Sequence, residues 1–194
     1  MKFSKTYFDE VISISKKIDH EKVENLVDHL RILRKNKGRL FIAGVGGSAS
    51  NASHMANDLR KLCEIETYSI SDNISELTAR ANDEGWQTIF SGWLANANLS
   101  KNDAFFVLSV GGGNLKKNVS VNIINGIKFS KKNSMKVFGI VGMKSGYTAR
   151  HGDCVVVIPE ESKFRITPHS ESFQSVVWHC LVSHPKLIKN ETKW

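Results

Sequence analysis

The chain has no CxxC pair, no long apolar run and no secretory leader pattern, and each absence removes a class of protein. Its three cysteines, Cys63, Cys154 and Cys180, are odd in number and far apart. That argues against a disulfide scaffold or a zinc ribbon and leads us to expect a reducing, cytoplasmic setting. The longest uncharged apolar run falls far short of a bilayer span, so no membrane crossing is expected. The first seventeen residues interrupt their apolar positions with Asp9 and Glu10 and offer no small-residue cleavage site, unlike a secretory signal. Nor is there a basic strand interleaved with aromatics. The net charge is +8, but the lysines come in scattered pairs, Lys16-Lys17, Lys116-Lys117 and Lys131-Lys132. Such pairs on helix faces read as a solvated basic surface, not a nucleic-acid site.

What is present is an ordinary globular composition, 41% hydrophobic and 24% charged over 194 residues. One domain is expected over 1–194, with a helical hairpin at 1–37 and an α/β core at 38–194. In the hairpin, Tyr7, Val11, Ile14 and Ile18 recur at helical spacing. After Asp19, a fair helix cap, Val23, Leu26, Val27, Leu30 and Leu33 do the same. These apolar stripes precede any strand, so either the core or the same hairpin of another subunit must cover them.

From Leu40 the pattern changes to alternating strands and helices. Leu40 to Ala43 is a short apolar run, followed by Gly44, Gly46 and Gly47, with Ser48 or Ser50 placed to cap the helix beyond. Such a turn aims bare N–H groups, and the positive end of a helix, at an anion, most often a phosphate. Glycine also serves in any strand-to-helix turn, so this motif is weak without its context. Further strands are expected at Glu64–Ile70, Ala104–Ser109, Lys136–Val141 and Asp153–Ile158, and helices at Ser75–Asn82 and Trp86–Ala97. A second glycine turn, Gly111, Gly112 and Gly113, follows the third strand, with Asn114 placed to cap a helix containing Val119, Ile123, Ile124 and Ile127. Thr167-Pro168 reads as the start of a last helix running to about Ser183. Alternating units with uncharged strands imply a parallel sheet covered on both faces, whose ligands bind beyond the strands' carboxyl ends, where both glycine turns lie.

The stretches GVGGSASNASHMANDL, ANDEG and LSVGGGN, with a last helix ending in a histidine, resemble the sugar isomerase (SIS) domain. Within it they resemble the sedoheptulose-7-phosphate isomerases, also called phosphoheptose isomerases. The resemblance covers essentially the whole chain. It implies a three-layer α/β/α sandwich with a five-stranded parallel sheet, preceded by the helical hairpin. It also implies a cytoplasmic homotetramer, commonly zinc-bound, that interconverts sedoheptulose 7-phosphate and a heptose 7-phosphate for surface polysaccharide such as lipopolysaccharide or capsule. The family's GNGGS turn matches Gly44, Val45, Gly46, Gly47 and Ser48, with Val45 in place of an asparagine. Its helix histidine and the glutamate four residues on resemble His54 and Asp58, and its ND pair matches Asn82 and Asp83. Its serine-rich phosphate loop matches Ser109, Gly111, Gly112, Gly113 and Asn114 in part, family hydroxyls having become glycines. A glutamine and, eight residues later, a histidine correspond to Glu171 and His179.

An aldose–ketose isomerase moves a proton between adjacent carbons through an enediol, and so needs an acid and a base. Asp58 and His179 are the expected pair. A metal reading rests on His54, Asp58, Glu171 and His179, because His54 and Asp58 at i, i+4 share a helix face. Glu171 and His179 are roughly 12 Å of helical rise apart, so Glu171 would have to bend inward to join them. A buried His54 satisfied by a backbone carbonyl is the plain alternative. His169 is a spare ligand candidate, while His20, His29, His151 and His184 are expected to be surface or structural. Two other function classes compete. Gly44-x-Gly46-x-x-Ala49 satisfies a dinucleotide fingerprint, but the acid it wants after the second strand is at best Asp72, 28 residues after Gly44. A non-catalytic sugar-phosphate sensor would keep the glycine turns and have no use for an aligned carboxylate and histidine.

Overall fold

The computed structural model describes residues 2–193. The chain opens with α1 (Phe3–Lys17) and α2 (His20–Lys35). Asp19 caps α2 as expected, its carboxylate accepting from the Lys22 N–H at 3.0 Å. The stripe Val23, Leu26, Val27, Leu30 and Leu33 is buried against the core of the same chain, as is Ile14 of α1. Phe3, Phe8 and Ile12 of α1 remain exposed.

The core then runs β1 (Leu40–Ala43), α3 (Gly47–Cys63), β2 (Thr67–Ser69), α4 (Ile74–Asp83), α5 (Ile89–Ala95) and β3 (Ala104–Ser109). It continues through α6 (Val121–Lys132), β4 (Lys136–Val141), α7 (Tyr147–His151), β5 (Cys154–Val157) and α8 (Ile166–Ser183). The strands form one parallel sheet in the order β2-β1-β3-β4-β5. Side chains alternate across it, as the pleat requires. Leu40, Ile42, Phe106, Leu108, Phe138, Ile140 and Val156 pack with α2, α3 and α8. Phe41, Ala43, Phe105, Val107 and Val137 pack on the other face with Phe90, Leu94, Ile123 and Ile127. Fully burying each such side chain contributes about 1.5–3 kcal/mol, which explains why uncharged runs became the strands. The result is the expected three-layer sandwich. Among the described residues, no helix is long and apolar enough to cross a membrane.

Strand order also fixes where a ligand can enter. From β1 the chain steps outward to β2, and from β3 it steps the opposite way to β4. The crevice between the carboxyl ends of β1 and β3 is therefore the switch point of the sheet, and the two glycine turns leave those two strands.

Several boundaries differ from expectation, each for a local reason. The cap of α3 is Gly46 at φ +63°, not Ser48 or Ser50, which lie inside the helix. β2 starts only at Thr67, because Glu64 in a left-handed conformation closes α3 and the Ile65 N–H bonds back to Leu59. The segment from Trp86 divides into a 3₁₀ turn, Trp86–Thr88, and α5. Asn114 caps no helix: it pairs with Val119 in a small antiparallel bridge and its side chain accepts from the Lys117 N–H at 3.0 Å, so α6 begins at Val121. Thr167 likewise sits inside α8 behind Arg165, with Pro168 still in the first turn, where its missing N–H is no loss.

Candidate functional site

The first glycine turn is not an empty anion cradle. A Cβ on Gly47 would come within 2.6–2.8 Å of the Glu171 carboxylate, so that side chain of α8 lies directly on the turn at the amino end of α3. Val45, Gly46 and Gly47 face solvent and Ser48 is buried. A negative group favoured by the helix dipole already occupies this end, and a phosphate placed there would meet like charge. The same fact weakens the dinucleotide reading, whose pyrophosphate needs that position. Asp72 instead accepts hydrogen bonds from Ser53 and from Ser69, the latter at 2.7 Å.

The second turn is tied down by its own neighbours. The Gly112 N–H donates to Ser109 Oγ at 3.0 Å, and the Gly112 carbonyl accepts from both the Thr148 N–H at 2.9 Å and its hydroxyl at 2.8 Å. The Gly113 carbonyl accepts from the Tyr147 N–H at 2.8 Å. Gly112 (φ +66°) and Gly113 (φ +87°) are in the left-handed region, and a Cβ on Gly113 would strike Ile124. Glycine here supplies shape, and the Gly112 N–H expected to face a ligand is spent inside the loop. Gly111 is half-buried, and Asn114 opens a short excursion that carries Lys116 and Lys117 exposed beside the turn. Asn82 and Asp83, at the end of α4, are exposed and bonded to each other at 2.8 Å. No hydrogen bond ties either of them to the turns among the described residues.

The third group of residues lies along the seam where α3 and α8 run side by side in the same direction. At its upper end Asn51 Nδ2 donates to the Glu171 carbonyl at 3.0 Å and to Gln174 Oε1 at 3.1 Å, and Ser175 Oγ donates to Asn51 Oδ1 at 2.6 Å. Farther down, ligand atoms of His54, Asp58 and His179 all lie within 4.8 Å of one another. His54 Nε2 is 3.7 Å from Asp58 Oδ2, and Asn57 Nδ2 donates to Asp58 Oδ1 at 2.9 Å. His179 Nδ1 sits 2.9 Å from the Ser175 carbonyl. A carbonyl only accepts, so Nδ1 carries the proton and Nε2 keeps its lone pair. His54 is exposed rather than buried on a carbonyl, which removes the plain alternative for it.

Of the four residues expected to hold a metal, His54, Asp58 and His179 come together. Glu171 is outside the cluster because the rise along α8 keeps it at the glycine turn. His169 does not serve as a spare ligand: it is 3% exposed, its Nε2 is 2.7 Å from Glu10, and its ring packs on Tyr7 at 4.6 Å. Hydrogen bonds from Arg165 first, then from His169, hold the Glu10 carboxyl down at about 2. Of the other histidines, His29 packs on Phe138, His151 stacks on Tyr147 and His184 reaches Glu24 at 3.4 Å. Burial pushes the Cys63 thiol up to about 11, so it is no nucleophile.

Sequence reasoning missed Asn51, Gln174, Ser175 and Trp178. Asn51, His54 and Asp58 stand at i, i+3 and i+7, one stripe of α3, a pattern that marks Asn51 as facing the same neighbour. Two recesses of ≈ 820 and ≈ 810 Å³ open beside the edge strands β2 and β5, and neither includes the cluster.

With this geometry in view, residues 6–142 match the family model described as the SIS domain. A phosphoheptose isomerase of Leptospira biflexa is 34% identical over 148 residues, 73% of this chain and 70% of that one. The chain belongs to the SIS-domain family of phosphoheptose isomerases. A second member, from Helicobacter pylori, is 28% identical over 155 residues, 77% of each chain. The fold also matches a solved phosphoheptose isomerase from Neisseria gonorrhoeae with a TM-score of 0.80 at 22% identity, covering 92% of this chain and 95% of that one.

Proposed function

We propose that the chain is an aldose–ketose isomerase of a phosphorylated sugar, converting sedoheptulose 7-phosphate to D-glycero-D-manno-heptose 7-phosphate. The observation that carries this is the convergence of His54, Asp58 and His179 at one point of the seam. A sensor that only binds has no use for a carboxylate and an imidazole lone pair held together. Lys116 and Lys117 make the second turn the better phosphate end, because Glu171 holds the first.

In the reaction a base takes the proton from C1 of the ketose while an acid protonates the carbonyl oxygen on C2, giving the enediol. Return of a proton to C2 and loss of the O1 hydroxyl proton leaves the C1 aldehyde. Asp58 and His179 Nε2 are the groups assigned to these transfers. Two imidazoles and a carboxylate, with a fourth position open, are also the donor set of a catalytic zinc site. When bound by His54, Asp58 and His179, zinc would polarise the substrate's oxygens. Val45, Gly46, Gly47, Ser48 and Glu171 on one side, with Ser109 to Asn114 on the other, would then frame the sugar, and Asn82 and Asp83 are assigned to it by family pattern alone. The free thiols suit the cytoplasm, and the apolar outer face of α1 suits a homotetramer.

The test is to incubate the purified protein with sedoheptulose 7-phosphate, with and without chelator, and follow aldose formation. Aldose is expected, with loss on chelation if zinc takes part. Tight binding of the ketose with no aldose under either condition would make the chain a sensor.

A further inference from the structure

We propose that Trp178 is the positioning residue of the His54–Asp58–His179 cluster, its indole serving as the wall against which both imidazoles are set. Trp178 is fully buried, and its indole stacks on His179 with centroids 3.6 Å apart and planes 30° apart. His54 meets the same indole edge-on at 4.7 Å and 65°. The two imidazoles stand perpendicular, 88° and 5.4 Å apart.

This arrangement is not a default of the helix. Neighbouring residues point about 100° apart around a helix, yet the His179 ring folds back over the indole of the residue before it. Two constraints fix that ring. The Nδ1 bond to the Ser175 carbonyl sets its direction, and the indole sets its plane. Together they send Nε2 toward His54 and Asp58. The same indole is a wall for His54, whose ring also faces His179 and Asp58. The one bicyclic ring touches both imidazoles. The Trp178 N–H has no hydrogen-bond partner among the described residues.

The metal arm of the test rests on the proposed isomerase reading, and the metal-free arm does not. The variants are Trp178→Phe, Trp178→Leu and, as a control, Phe173→Leu, another buried residue of α8 in the same apolar cluster. In metal-free protein the Hα–Hβ couplings of His54 and His179 should report one χ1 rotamer in the wild type and averaged values in both Trp178 variants. Zinc affinity, read by competition with a chromophoric chelator, should fall tenfold to a hundredfold in the Trp178 variants, the usual cost of losing an orienting neighbour. Phe173→Leu should lower the melting temperature with neither change. The proposal is overturned if Trp178→Phe keeps single-rotamer couplings, or if Phe173→Leu averages them as strongly. If the wild type binds no zinc, the metal reading fails and the couplings still decide the role of Trp178. Should Trp178→Leu not fold, Trp178→Phe carries both readouts.

Discussion

At the scale of single residues, the site depends on which nitrogen and which oxygen are left available. The His179 Nδ1 proton is committed to Ser175, and one Asp58 oxygen is committed to Asn57. What remains, His179 Nε2 and Asp58 Oδ2, is what proton transfer or metal binding needs. Asp58→Asn and His179→Gln preserve volume and remove that capacity. Each is expected to lower turnover by about a hundredfold or more with little change in KM for sedoheptulose 7-phosphate. Elemental analysis of the same proteins separates the roles, because a lost ligand takes zinc with it and a lost acid or base does not. Near-full turnover in both variants would move the acid–base role to Glu171 or His54.

At the scale of elements, α1 is fastened to α8 by a small polar cluster. Glu10 accepts from Arg165 Nε at 2.7 Å and faces His169 Nε2 at 2.7 Å, and Tyr7 lies against the His169 ring. A carboxyl that sits at about 2 in the folded chain and at 4.5 without these partners holds its proton more weakly when folded. The tether therefore stabilises fully above pH 4.5, and its contribution is lost as the pH falls from 4.5 toward 2. Glu10→Gln should unfold at lower urea than the wild type at neutral pH, and the gap between them should close across that window. A gap that is unchanged at low pH would mean that packing of Tyr7, not the charge, holds α1 down.

At the scale of the whole molecule, the core covers the inner stripes of the hairpin and leaves an outer one. Phe3, Phe8 and Ile12 are 69%, 64% and 54% exposed. Phe8 and Ile12 stand one turn apart on the same face of α1, and side chains this apolar are usually buried against a partner when they cluster. A homotetramer with the N-terminal helices in the interface is the expected state. Light scattering at micromolar concentration checks it, and Phe8→Asp with Ile12→Asp should shift the mass downward while the far-UV spectrum stays the same. A wild-type monomer under those conditions would refute the assembly.

The sequence by itself determined the layers of this protein. Strands buried on both faces must be uncharged, so AFFVLS and its counterparts stood out. Asp19 was legible as a cap because capping is local, and the two glycine turns were legible because a backbone turning that sharply tolerates little else. Tertiary structure decided what no local pattern carries. Gly112 and Gly113 are held by Thr148 and Tyr147, which lie far along the chain, and the Asn114–Val119 bridge delays α6 to Val121. His169 looks like a ligand in the sequence and is claimed by Glu10, 159 residues away. Glu171 and His179 belong to one helix, yet one reaches the glycine turn and the other the metal-type cluster, because α8 lies alongside α3 and the rise between them is fixed. Periodicity reports which face of an element is buried. Which distant side chain meets that face is set by strand order and by the packing of helices across the sheet.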